Sequence, residues 1–199
     1  MMRIIGITGG VGAGKSSILN YIQRNYNARI IMADLVAHKI EEPGHKCYYG
    51  IVETFGSSIL NADTTINRQK LAQIVFADES KRLKLNAIVH PLVKEYIVNE
   101  IKAEKENGNV EFLIIEAALL LEDKYDLICD EVWYIYTTEE IRRERLNASR
   151  GYSDDKIDLL FNSQMTEAEF KNRCNIMIDN NLSEQDTYVQ IDTVLREGH

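Results

Sequence analysis

Cysteine is scarce in these 199 residues: three in all, at positions 47, 129 and 174. None forms a C-x-x-C pair with another, so neither a disulfide framework nor a thiolate zinc site is written here. The three read as reduced thiols of a cytoplasmic protein. Proline is scarcer still, with two residues, and there is no low-complexity tract or internal repeat. Nothing therefore reads as a linker, and one core domain spanning 1–199 with insertions is expected. Long apolar runs are missing. Phe112–Leu121 is too short to span a bilayer and contains Glu116. The apolar residues after Met1-Met2-Arg3 give way at once to glycines and Lys15, unlike a secretory leader. Positive charge is in deficit, 23 Lys and Arg against 31 Asp and Glu, for a net charge of −8. Such a chain is a poor prior for nucleic-acid or membrane binding, and a monomer or weak homo-oligomer is expected. An anionic ligand would need the basic residues to be clustered.

Glycine is where the sequence becomes specific. Gly9-Gly10-Val11-Gly12-Ala13-Gly14-Lys15-Ser16 follows the apolar run Ile4-Ile5-Gly6-Ile7-Thr8. It reads G-x-x-x-x-G-K-S, the phosphate-binding loop pattern. Glycines let backbone amides approach a polyphosphate, and the first turn of the following helix adds donors and partial positive charge. Lys15 supplies a point charge for the outer phosphates, and the Ser16 hydroxyl is suited to ligate Mg²⁺. Ser17 extends the same turn. A flexible glycine-rich turn would look similar in isolation. Here a strand-like run enters it and Ile18, Ile22 and Tyr26, on one helical face, leave it.

Strands and helices alternate along the rest of the chain. Arg3–Thr8 reads as a strand buried on both faces, followed by Arg29–Ala33, Phe112–Ile115, Glu131–Tyr136 and Asn175–Asp179. Helices are expected over Arg68–Ala77, capped by Asn67 with Leu71, Ile74 and Val75 inward, and over Lys81–Val89, stopped by His90-Pro91. A further helix runs to Asn107 with Leu92, Tyr96, Ile97 and Ile101 on one side. Between 35 and 67, a short helix after Asp34 carries His38 and Lys39 and is broken at Glu41-Glu42-Pro43-Gly44, and a second short helix carries an apolar cluster of Tyr48, Tyr49, Ile51, Val52 and Phe55. Thr137-x-x-Glu140 reads as a capping box, Asp154–Gln164 as a helix, and Ser183-x-x-Asp186 as the cap of the closing helix. The fold class is α/β: a P-loop NTPase-like three-layer fold on a parallel five-stranded sheet, with helical insertions.

Beyond the loop, Asp34 stands out. A carboxylate at a strand end near phosphates can take a proton from an attacking hydroxyl or organise Mg²⁺ through water, and it can equally cap the helix at Leu35. Glu116 ends the third strand, as a metal organiser or a solvated carboxylate. Arg142, Arg143, Arg145 and Arg150 cluster in an acidic chain. They suit a lid closing on ATP, or an exposed helix paired with Glu139, Glu140 and Glu144. His38 fits a surface residue, His90 a helix boundary, and Asn67-Arg68 a cap with an ion pair or a phosphate contact. No metal-ligand spacing is present.

Taken together, these residues resemble the dephospho-CoA kinase family. The resemblance runs from Arg3 to Asn181 through the loop, Ala33-Asp34-x-x-Ala37, Asn67-Arg68-x-x-Leu71-Ala72-x-Ile74-Val75-Phe76, His90-Pro91-Leu92-Val93, Leu119-Leu120-x-Glu122 and Ile178-Asp179-Asn180. Departures are Glu116 and Ala118, where the family usually has aspartate and proline, and Cys174-Asn175 in place of Ala-Asp. The resemblance implies transfer of the ATP γ-phosphoryl group to the ribose 3′-hydroxyl of dephospho-CoA, with Mg²⁺. It implies a CoA-side insertion over about 35–107 and a lid over about 138–172. Asp34 would orient the acceptor hydroxyl, with His38, Asn67, Arg68, His90 and Glu116 on the acceptor side. Arg142, Arg145 and Arg150 would act with Lys15, and Asn180 would lie near the adenine. Another small-molecule kinase of the same core, or a nucleotide switch, shares the loop; the guanine signature Asn/Thr-Lys-x-Asp is absent.

Overall fold

The computed structural model describes residues 2–197. The chain divides into two compact units, one made of the chain up to Ile30 and from Gly108 onward, the other Ile31–Asn107. Among the described residues, no helix is long and apolar enough to cross a membrane.

The first unit is built on β1 (Arg3–Thr8), β2 (Ala28–Met32, whose last residues enter the second unit), β3 (Phe112–Glu116), β4 (Glu131–Tyr136) and β5 (Ile176–Asp179), in the order β2-β3-β1-β4-β5. β1 runs parallel to β3 and β4, and β4 runs parallel to β5. The continuous apolar runs are explained by cover on both faces. Ile5, Ile7, Phe112, Ile114, Trp133 and Ile135 join one core with α1 (Lys15–Asn25) and α9 (Glu184–Glu197), through Ile18, Ile22, Ile191 and Leu195. The alternate residues Ile4, Leu113, Ile115, Val132 and Tyr134 are buried as well. The two helices are clasped at their edge. Tyr21 and Tyr26 hydroxyls both donate to Asp192, at 2.8 and 2.6 Å, and Tyr21 stacks on Tyr188. Tyr26 is thus the residue after α1 rather than part of its face.

After β4 come α6 (Glu139–Arg150), α7 (Asp154–Asn162) and α8 (Glu167–Arg173). The expected capping box at Thr137 does not form. α6 begins one residue later, with Thr138 at the cap, and the third position beyond it is Ile141, which has no carboxylate to return the bond. The box occurs instead at Thr166 and Glu169, opening α8, a helix the sequence reading omits. Ser183 and Asp186 do exchange the expected pair of bonds.

The second unit is helical: α2 (Ala33–Ile40), α3 (Lys46–Phe55), α4 (Arg68–Ala77) and α5 (Glu79–Asn107). α4 has the expected bounds, and Asn67 caps it by accepting from the Lys70 amide at 2.9 Å. Only Leu71 of its apolar set is fully buried, and Phe76 is 96% exposed. Tyr49, expected in the apolar cluster of α3, is likewise exposed. The largest departure is α5. The expected break at His90-Pro91 is absent and one helix of 29 residues runs through it. An internal proline costs about 3 kcal/mol. Val89, Val93, Ile97 and Ile101 repeat every four residues and are all buried, and each such side chain contributes about 1.5–3 kcal/mol. The buried stripe outweighs the lost backbone bond, and it falls on Val93 rather than on Leu92.

Because Pro91 is exposed and sits inside a helix, Pro91→Ala should stabilise the protein by about 1–3 kcal/mol. Urea unfolding followed by circular dichroism measures it, and a destabilised variant would show that the proline supports this helix.

Candidate functional site

The loop Gly9–Ser16 leaves the carboxyl end of β1, the edge where open α/β sheets bind ligands. α1 starts at Lys15 behind Gly14, which is left-handed (φ 87°). Glycine is required there twice over, since a Cβ would also overlap the Asn180 amide. At Gly10 a Cβ would overlap the Arg142 guanidinium, so that arginine lies directly on the loop. Lys15 Nζ donates to the Gly9 carbonyl at 2.9 Å and lies 3.8 Å from Glu116. Glu116, the last residue of β3, is buried beside it. Ser16 and Ser17 are exposed in the first turn of α1, and the Ser17 amide donates to the Gly14 carbonyl at 3.1 Å.

The four arginines separate by environment. Arg142 stacks on Phe161 at 4.2 Å, with its Nε buried and without a hydrogen-bond partner. Burial lowers its pKa. It lines a cavity of about 500 Å³ with Tyr134, Phe161, Gln164 and Phe170, in which Tyr134 and Phe170 are stacked. Arg145 donates to the Asn180 carbonyl at 2.9 Å and to the Ala13 carbonyl at 3.4 Å. Arg150 ends α6, exposed, with its guanidinium 5.8 Å from the Tyr152 ring. Arg143 faces away and pairs with Glu139, Asp154 and Asp158, the last at 2.5 Å, bonds that raise its pKa. Of the three glutamates expected as its partners only Glu139 serves; α7 supplies the others.

Three residues at this site escaped the sequence reading. Gln164, following α7, accepts the Val11 amide at 3.0 Å. Thr137 donates to the Ala13 carbonyl at 3.1 Å instead of capping α6. Phe161, in α7, is a platform for two arginines. A lone glutamine and a threonine at a strand end carry no sequence signal; the phenylalanine's aromatic character was visible but its partners were not. Asn180, expected near an adenine, has its amide engaged by Ala13 and Thr187.

In the second unit, Asp34 is exposed in the first turn of α2, inside the helix rather than at its cap, where a carboxylate is favoured. His38, one turn on, shares its face. Arg68 donates to the His38 carbonyl at 3.2 Å and lies 3.5 Å from Glu41. Asn67 caps α4 and donates to Asn61 at 2.8 Å. His90 lies in α5, before Pro91. Among the described residues, no three His, Cys, Asp or Glu side chains are grouped to hold a metal ion.

A sequence profile of the dephospho-CoA kinase family matches residues 3–186. A dephospho-CoA kinase of Oceanobacillus iheyensis is 36% identical over 197 residues, 99% of this chain and 98% of the relative. One of Carboxydothermus hydrogenoformans is 37% identical, over 99% of this chain and 95% of its own. Among solved structures, a dephospho-CoA kinase from Campylobacter jejuni matches with a TM-score of 0.74 at 22% identity, covering 99% of this chain and 97% of that one. A shikimate kinase from Acinetobacter baumannii matches at 0.57 and 13% identity, covering 100% and 95%. At these identities the two structures speak to the fold, which is that of P-loop kinases.

The arginine environments predict a contrast. Lys15→Ala should lower ADP affinity about tenfold or more, as expected for a charged hydrogen-bond donor. Arg143→Ala should leave it unchanged within about twofold and barely move the melting temperature, because its partners are exposed. Calorimetric titration with ADP and thermal melts check both.

Proposed function

The chain belongs to the dephospho-CoA kinase family, and from that premise we propose that it transfers the γ-phosphoryl group of ATP to the ribose 3′-hydroxyl of dephospho-CoA, completing coenzyme A. The observation that carries this is the family match over nearly the whole chain, with an intact phosphate loop at the carboxyl end of β1. ATP is held by the loop residues from Gly9 to Ser17, Lys15 among them. The flexible Lys15 stem lets its charge move from the Gly9 carbonyl to an outer phosphate. Transfer of this kind proceeds through a loose transition state, so the protein's task is to position the groups and offset charge.

Mg²⁺ suits the donor set. Ser16 offers one hard oxygen in the first turn of α1, and no described carboxylate cluster would hold the ion by itself. That is the pattern of a cation carried on nucleotide phosphates and waters. Bound there, the ion would offset charge on the phosphates. Asp34 orients the acceptor hydroxyl and receives its proton. His38, Asn67, Arg68 and His90 serve the acceptor side, Asn67 by capping α4. Glu116 steers Lys15. Of the lid arginines over α6–α8, Arg142 is the best suited to the moving phosphoryl group, since it lies against Gly10 and its Nε has no partner. Arg145 braces the loop, and Arg150 joins on closure. A cytoplasmic setting fits the three free cysteines.

The test is ADP production from Mg-ATP with dephospho-CoA, adenosine, AMP or pantothenate as acceptor, with product masses. Turnover with dephospho-CoA alone is expected; turnover only with another acceptor would overturn the assignment. Asp34→Asn should lower kcat by about 10²-fold or more, the usual scale for a lost proton acceptor, with KM for ATP little changed. Near-normal kcat would remove Asp34 from the mechanism.

A further inference from the structure

Three donors converge on one backbone oxygen of the phosphate loop. The Ala13 carbonyl accepts from Asn180 Nδ2 at 2.7 Å, from Thr137 Oγ1 at 3.1 Å and from Arg145 at 3.4 Å. A peptide group is planar and trans, so its C=O and the N–H of the next residue point in opposite directions. Anchoring the Ala13 oxygen on Asn180 and Thr137 therefore turns the Gly14 N–H away from them, outward from the loop's support. Donors on the carbonyl also polarise the peptide, making its N–H a stronger donor.

The Asn180 amide has its own anchor. A carbonyl can only accept, so the Asn180 group facing Ala13 is the NH₂, and its oxygen faces the other way. There the Thr187 hydroxyl of α9 donates to it at 2.9 Å. Thr137, Asn180 and Thr187 are 4%, 8% and 1% exposed, so bulk water does not replace a lost partner. The Asn180 amide packs so closely on Gly14 that no Cβ fits between them.

We propose that Thr137 and Thr187 are positioning residues for nucleotide binding: with Asn180 they lock the Ala13–Gly14 peptide so that the Gly14 N–H is presented to the polyphosphate. This rests on reading the loop as the ATP site, and it assigns α9 a part in that site. Neither threonine touches the nucleotide. Each acts through the loop backbone, so the effect follows phosphates rather than the base.

The experiment compares ADP and AMP binding by calorimetry in the unmutated protein, Thr187→Val, Thr187→Ser and Thr137→Val, with thermal melts alongside. Thr187→Val keeps the shape and removes the donor. Affinity for ADP is expected to fall about tenfold, as for a buried partner left unsatisfied, while AMP affinity changes much less. Thr187→Ser restores ADP binding to within about twofold, and KM for dephospho-CoA is unmoved. A merely structural role would lower the melting temperature without changing the ADP-to-AMP ratio, and that result in a folded Thr187→Val protein overturns the proposal. Should that variant fail to fold, Thr137→Val, whose hydroxyl reaches Ala13 directly, carries the same expectation and the same refutation. The ADP comparison uses no acceptor, so it stands apart from whether dephospho-CoA is phosphorylated.

Discussion

A central strand covered on both faces has only one place to meet a ligand, and that is its end. β1 is flanked by β3 and β4, and its side chains from Ile4 to Ile7 are buried. Chemistry in the first unit therefore starts at the carboxyl end of that strand, where the chain must turn and the backbone is the only material available. The turn is crowded. A Cβ on Gly9 would come within 2.6 Å of the Ile135 carbonyl, and one on Gly12 within 2.9 Å of the Arg142 carbonyl. The glycines that let amides face an anion are the same ones that let β4 and α6 close in behind the loop. Binding and packing thus constrain the same atoms, and a change suited to one is felt by the other.

That coupling explains which features could be read from the chain alone. The strands announce themselves as unbroken apolar runs, because a parallel sheet covered on both sides needs them. The phosphate loop announces itself because backbone recognition demands glycine at fixed intervals. Asn67 was legible as a cap because a cap is a local matter. What escaped depended on tertiary context. Pro91 is a helix breaker in any local account, yet a stripe of buried residues at four-residue spacing carries α5 through it. Thr137 followed by Glu140 has the spacing of a capping box, but the helix starts one residue late and the hydroxyl is taken by the loop. Gln164 meets Val11 from 153 positions away, beyond the range of any spacing rule.

The arginines show the limit in another way. Their clustering in an acidic chain was visible; their division of labour was not. Successive helical residues turn by about 100°, so Arg142 and Arg145 fall toward the loop while Arg143 falls toward α7 and its carboxylates. Three cations within four residues thus have three environments: an aromatic platform, a pair of backbone carbonyls and a surface ion-pair network. A charge count assigns them one role. The helix period and the aspartates of α7 assign them three.

The starts of β2 and β3 are stitched together within the first unit. The Glu111 and Phe112 amides both donate to the Asn27 carbonyl, at 2.9 and 3.2 Å, and the Asn27 side chain donates to the Asn109 carbonyl at 2.9 Å. The strand that leads toward the helical unit and the strand that follows that unit therefore start side by side, held by residues of the first unit. A segment held in this way is a cassette. The helices between the two strands can lengthen, shorten or be exchanged for others without rethreading the sheet, because the starts of both strands stay at a fixed spacing. In such an architecture the helices between β2 and β3 and the phosphate loop can diverge at separate rates, one written in the cassette and the other in the frame.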